Sequence, residues 1–243
     1  MTYLQNRFLV LTLSTLSGLL LTACPPPEEP DPPDLNGGFA YGKVSAFVGG
    51  GAVVGAEICM KDSDICGETD DAGEFTVEGL PEDTDVILSF DHRDYFPALG
   101  MWNTARKDDA WNYTLPKEDE LGLQVSFTGT DATLERGLGQ VFFAARVEKG
   151  IGKDGVPGII LGGSAELGDI VYGNYLGLPA PDLTETSIAG AGIFVNVEPG
   201  EYAIELSGVT GCEPYFSMNV DADGRFPVHV FENALSAVTV VCE

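Results

Sequence analysis

Histidine and tryptophan are scarce in this sequence, with two of each in 243 residues, and 12 Lys and Arg face 38 Asp and Glu. Few histidines leave little for a catalytic zinc site, which normally takes three protein ligands and a water. His92 runs into Arg93-Asp94-Tyr95 without the His-x-x-Glu spacing of a zinc peptidase, and His229 stands alone in an apolar stretch. No Cys-x-x-Cys pair is present. Ser164 lies in Gly162-Gly163-Ser164-Ala165-Glu166, which is not a nucleophile elbow. The glycine-rich stretches lack the Lys-Ser/Thr of a phosphate-binding loop. A net charge of −26 repels nucleic acid and anionic headgroups. After the N-terminal segment, no stretch sustains a 3.6-residue apolar period, so helices are not expected. The sequence therefore points to no catalytic residue, no metal site, no cofactor and no nucleic-acid partner.

The chain is rich in turn formers, with 31 Gly and 15 Pro, while 44% of its residues are hydrophobic. That balance is typical of an all-β body with many turns. Thr69-Asp70-Asp71-Ala72-Gly73-Glu74-Phe75, followed by Leu80-Pro81, is a turn feeding a strand. Asp bonds its own backbone and Gly takes positive φ without steric cost. The strand then alternates, with Phe75 and Val77 on one face and Thr76 and Glu78 on the other.

A relative of this stretch returns as Thr186-Ser187-Ile188-Ala189-Gly190, with Phe194 and Glu198-Pro199-Gly200 behind it. Upstream, Gly42-Lys43-Val44 is matched with Gly139-Gln140-Val141. Val54-Gly55-Ala56-Glu57-Ile58 is matched with Val156-Pro157-Gly158-Ile159-Ile160. Gly192 and Ile193 are expected to lengthen the second turn. The order of landmarks reads as a duplicated domain.

From Gly42 to Leu115, centred on GAEICM and TDDAGEFTVEGLP, the sequence resembles the carboxypeptidase regulatory-like family. The resemblance implies a transthyretin-like β-sandwich with immunoglobulin-like layering, an accessory domain rather than a peptidase. The expectation is two tandem sandwiches, 39–117 and a divergent 118–243. PKEDELG serves as the linker, and Leu123 to Phe127 form a strand at the junction.

Arg7, the apolar run Phe8 to Leu21 and a small-residue site form a secretory signal over residues 1–23. Leu21-Thr22-Ala23-Cys24 resembles the bacterial lipobox. That resemblance implies cleavage before Cys24 and its acylation, including palmitate, with an address in the cell envelope, at the outer membrane. Residues 24–38 add an acidic proline-rich spacer that can form neither core strand nor helix. The partners expected are the membrane, through this lipid, and a carbohydrate or an envelope protein.

With Cys24 acylated, four cysteines remain for an oxidising compartment. Cys59 and Cys66 flank a hairpin turn. Cys212 and Cys242 lie in the last two segments. Pairing within each half is the most economical of three connectivities. Acidic turns at Asp62-Ser63-Asp64, Asp70-Asp71 and Asp221-Ala222-Asp223-Gly224 offer calcium-type oxygens, but none completes a calcium loop. Trp102, Trp111 and Tyr113 are the candidate ligand-binding residues, as a stacking platform for a sugar ring. The competing reading is that they fill the core.

Overall fold

The structure is a computed structural model that describes residues 37–105, 110–129, 133–147, 154–163, 167–215 and 220–242. Its first half contains β1 (Gly38–Ala46), β2 (Glu57–Met60), β3 (Cys66–Glu68), β4 (Glu74–Leu80), β5 (Asp85–Asp91), β6 (Ala98–Asn103) and β7 (Trp111–Leu115). Helix α1 (Glu118–Ser126) follows. The second half contains β8 (Gly139–Arg146), β9 (Ile160–Gly163), β10 (Ile170–Tyr172), β11 (Ala191–Val197), β12 (Gly200–Ser207), β13 (Cys212–Pro214), β14 (Phe226–Val230) and β15 (Leu235–Cys242). The fold is an all-β sandwich, with alternating burial in β4, β5 and β14 matching the period of a half-buried strand.

The two halves repeat one topology. In the first, β4-β1-β7 form one sheet and β3-β2-β5-β6 run together in the other. In the second, β11-β8-β15 takes the order of β4-β1-β7, and β9-β12-β14 takes that of β2-β5-β6, with no counterpart of β3 in that sheet. Both repeats pair their first and last strands in parallel, β1 with β7 and β8 with β15. The agreement reaches single hydrogen bonds. Thr69 Oγ1 donates to Val53 O at 2.7 Å and accepts from Ala56 N at 2.8 Å. Thr186 Oγ1 donates to Val156 O at 2.7 Å and accepts from Ile159 N at 2.9 Å. Gly73 O accepts from Val44 N, and Gly190 O from Ala145 N, both at 2.7 Å. Gly73 and Gly190 have φ of 77° and 60°, the left-handed region that the turn requires.

These bonds correct three sequence alignments. Val44 corresponds to Ala145, so Gly42 aligns with Phe143 rather than with Gly139. Val53, not Val54, corresponds to Val156. The second turn is not lengthened, because β11 begins at Ala191, directly after Gly190. Gly192 and Ile193 lie inside that strand. Repeated Gly-x-Val triplets misled the first match, since a short triplet carries no information on register.

The halves are sewn together by β15. Its Leu235–Ala237 segment pairs in parallel with Ala98–Gly100 of β6 on one side. Its other side pairs along its length with β8. One sheet thus runs β10-β11-β8-β15-β6-β5-β2-β3, with β13 attached to β15. Leu235 and Ala237 pack on the first core, whereas Val238, Val240 and Cys242 pack on the second. Neighbouring residues of a strand point to opposite faces. The two cores therefore lie on opposite faces of the shared sheet. In β8 the same division holds, with Phe142 towards the first core and Val141, Phe143 and Ala145 in the second.

The junction differs from expectation in one element. Glu118–Ser126 is a helix, where sequence reading expected a linker and then a strand. Pro116 precedes it, and Glu120 Oε2 accepts from the Lys117 N–H at 2.9 Å, half of a capping box. Three acids in the first turn suit the positive end of the helix dipole. Leu121, Gln124 and Val125 are its buried residues, spaced i, i+3 and i+4. The helix is about two and a half turns long, and the next position on that face, i+7 from Leu121, falls beyond its end.

Candidate functional site

Of the two readings of Trp102 and Trp111, surface platform or core, the structure shows core residues at 0% and 1% exposure. Tyr113 is 6% exposed. Trp102 and Trp111 stack at 5.3 Å, and Phe90 stacks on Tyr113 at 4.4 Å. Trp102 Nε1 donates to Phe39 O at 3.1 Å and Tyr113 Oη donates to Leu99 O at 3.1 Å. Burial pushes the Tyr113 phenol well above its usual range. Gly100 makes the room, because a Cβ there would strike the Trp111 indole. No ring face is left open to a sugar, so the platform reading is corrected to core packing. Alternation of Trp111, Tyr113 and Leu115 shows a shared face, but not which side of the sheet is wet.

The four cysteines form Cys59–Cys66 and Cys212–Cys242 disulfides. Each joins directly opposed residues of an antiparallel pair, β2 with β3 and β13 with β15. Glu57 lies beside Cys59 and Cys66, close enough for one ion, but sulfurs joined to each other provide no thiolate. Cys24 and Ser164 lie outside the described residues.

In two of the acidic turns one aspartate bonds its own backbone, while in the third Asp62 Oδ1 pairs with Lys61 Nζ at 2.9 Å. Asp70 Oδ1 accepts from Ala72 N and Glu74 N, both at 2.9 Å. Asp221 Oδ1 accepts from Asp223 N and Arg225 N at the same distance, and its Oδ2 pairs with Arg225 Nε at 2.7 Å. Chiefly the Arg225 backbone N–H, with the guanidinium behind it, holds the Asp221 carboxyl below the usual range. His92 Nδ1 accepts from Asp94 N at 3.1 Å, and His229 Nδ1 lies 3.6 Å from Glu201 Oε1.

A row of carboxylates escaped sequence reading. Glu68, Glu57 and Asp91 are in register across β3, β2 and β5. Like charges so placed repel. Asp91, at the exposed end of β5, is pushed above the usual carboxylate range, first by partial desolvation and then by Glu57.

A cleft also escaped it. Beside β7 the cleft is lined by Asn112 and Thr114 of that strand, by Leu121 and Gln124 of α1, and by Phe142 and Arg146 of β8. Its backbone geometry follows from two neighbouring bonds. Leu115 O accepts from Phe47 N, on the β1 side, and Pro116 O accepts from Phe96 N on the other side. Carbonyls alternate along a strand, so the N–H and C=O of Asn112 and Thr114 point away from β1. Arg146 Nη1 donates to Ala189 O at 2.8 Å and to Ala145 O at 3.2 Å. Burial lowers its affinity for its proton. It makes no ion pair among the described residues. Only a three-dimensional arrangement could bring β7, α1 and β8 together, and no local sequence signal announces it.

No protein-family model and no curated protein matches the chain. Among solved structures, the chain is similar to the Bacillus anthracis TIE protein, with 13% identity and a TM-score of 0.26 over 85% of this chain and 34% of that one. It is also similar to GBS52, the minor pilin of Streptococcus agalactiae, with 12% identity and a TM-score of 0.29 over 78% and 83% of the two chains. The shaft pilin SpaA of Lactobacillus rhamnosus GG gives 10% identity and a TM-score of 0.25 over 86% and 98%. The chain spans about a third of the TIE protein's length.

Proposed function

We propose that this protein is a non-catalytic module of the bacterial cell envelope, anchored through acyl chains on Cys24 and acting as a structural or binding element. The observation that carries the structural part is the sheet shared by the two repeats. Pairing of β15 with both β6 and β8 leaves no free hinge at that seam. The Cys212–Cys242 bridge then pins the strand's last turn of pairing. A stiff double sandwich behind an acidic proline-rich segment suits holding or presenting something beyond the bilayer. The division into 39–117 and 118–243 stays part of this proposal, with β15 belonging to both cores. So does the relation to carboxypeptidase regulatory-like domains, supported in the first repeat by the Thr69 to Gly73 turn.

The anchor reading rests on Leu21-Thr22-Ala23-Cys24 at the end of an apolar run. More than one acyl chain is needed for stable anchoring, at about 0.8 kcal/mol per buried methylene. Cys24→Ala tests it. The wild-type chain should remain with membranes after a high-salt wash and the variant should be released. Retention of the variant would refute the lipid anchor. A carbohydrate-binding role finds no support at Trp102 or Trp111, both of which are core.

A further inference from the structure

We propose that the outer edge of β7 is a docking site for an extended peptide of a partner protein, taken as an added strand, with a carboxylate of that peptide meeting Arg146.

The argument begins with edges. An exposed sheet edge invites another strand, and proteins usually blunt such edges. Here several of the others are guarded or short. On the outer edge of β14, Pro227 has no N–H to give, and Ser236 Oγ occupies His229 O at 2.6 Å. The Leu161 N–H of β9 is taken by Tyr172 Oη at 2.8 Å. β4 lies against β3, where a Cβ on Gly67 would fall on Thr76 O. β3 and β10 are three residues long, too short to template much pairing. The equivalent of β7 in the second repeat is β15, whose outer edge pairs with β6 at Leu235–Ala237 and with β13 at Val240–Cys242. β7 alone among these presents two successive outward-facing residues, Asn112 and Thr114, with no backbone partner among the described residues.

The walls of the cleft then select the occupant. Phe142, partly exposed, supplies apolar surface for a side chain of an added strand. Among the described residues, half-buried Arg146 bonds only to main-chain carbonyls, in a chain where acids outnumber bases 38 to 12. A guanidinium that has lost water without gaining a carboxylate gains most from an anionic partner. Backbone bonds to Asn112 and Thr114 would provide affinity, and the carboxylate would set register and choice.

The test uses the full chain in detergent and fluorescein-labelled, terminally blocked octapeptides of alternating Val and Thr. One Glu is moved through the eight positions, with matched Gln and Lys versions. Anisotropy should show at least one Glu peptide binding ~10-fold more tightly than its Gln and Lys counterparts. Arg146→Gln should abolish that preference. Hydrogen exchange at Asn112 and Thr114 should slow by ~10-fold or more when the preferred peptide is bound, a readout on the parent protein that does not depend on a variant folding. Equal binding of the three peptide sets would overturn the proposal, as would an undiminished preference in Arg146→Gln. Unchanged exchange at both amides would do the same. Full protection of both amides before peptide is added would mean that the chain's own residues fill the slot, which also overturns it.

Discussion

Gly42 of β1 lies directly opposite Phe75 of β4, and the second repeat inverts the pair, with Phe143 of β8 opposite Gly192 of β11. One large ring and one glycine fill the same space from either strand. Volume is conserved while the sequence match is lost, which close-packed cores tolerate well. The inversion also hid the register of the repeat, because an alignment by residue type places glycine on glycine.

The two glycines should respond differently to a methyl group. At Gly42 a Cβ would lie inside the Trp111 carbonyl of the neighbouring strand, which cannot move without breaking β1–β7 pairing. At Gly192 the nearest atom is Ile170 Cδ1 at 2.7 Å, the end of a flexible side chain. Gly42→Ala should therefore cost about 3 kcal/mol or more, and Gly192→Ala about 1 kcal/mol, on the usual scale of overpacking. Urea unfolding of the two variants measures the contrast. Equal losses would show that the β1–β7 contact is not rigid.

Thr69 should be indispensable for its hydroxyl rather than its shape. It is 4% exposed, and its Oγ1 serves both Val53 O and Ala56 N. Thr69→Val keeps the volume and leaves two buried backbone groups without partners, a loss of about 1–3 kcal/mol each at most. Thr186→Val should behave alike, and Thr→Ser at either site should recover most of the stability. Thermal melts of the four variants check this. A Val variant as stable as its Ser counterpart would mean that the hydroxyl contributes nothing.

How much of this was readable in the sequence depends on range. Local chemistry was readable: the Thr-x-x-x-Gly turns, the alternation of Phe75 and Val77 with Thr76 and Glu78 in β4, and the two cysteine pairs. Elements whose identity depends on distant partners were not. Leu121, Gln124 and Val125 mark one face of α1 only once the neighbouring surface is known. Trp111 and Tyr113 share a face in either reading, and what lies across from them, Phe90 and Trp102, decides between core and platform. The parallel seam of β15 with β6 has no local signature, because strands far apart in sequence bring it about.

Core tryptophans predict a stability phenotype. Trp102→Ala removes a fully buried indole together with its bond to Phe39 O, and should cost about 3–5 kcal/mol. Denaturant unfolding followed by circular dichroism measures the loss. A Trp102→Ala variant with unchanged midpoint would contradict the burial.

The Cys212–Cys242 bridge should matter more than Cys59–Cys66, because it closes the longer loop, 30 residues against 7. In the chain-entropy account a bridge contributes about 2–4 kcal/mol, rising with loop length. Cys212 and Cys242 replaced together by Ala should lower the melting temperature more than the same change at Cys59 and Cys66. Since β15 supplies Leu235 to one core and Val240 to the other, both cores should loosen together. Calorimetry of the variant should still show one transition. Two resolved transitions would mean that the seam transmits little.

Asp91 predicts a pH dependence whose sign can be worked out. Its carboxyl is raised in the folded state by partial desolvation and by Glu57 across the β2–β5 pair. Below its unfolded-state pKa the group is protonated in both states and contributes nothing. As pH climbs past that value the unfolded chain releases its proton first, so the native state holds more protons and loses stability. Above the folded-state pKa the penalty is constant. Asp91→Asn removes the charge and its repulsion with Glu57 while keeping the size of the side chain. The variant should be more stable than the parent at neutral pH, with the gap closing as the pH falls through the carboxylate range. Glu57→Gln should give the same sign, because it removes the other charge of the facing pair. Urea midpoints measured from pH 3 to pH 8 check both. If Asp91→Asn is less stable than the parent at pH 7, the row of carboxylates holds a compensating partner and the repulsion argument fails.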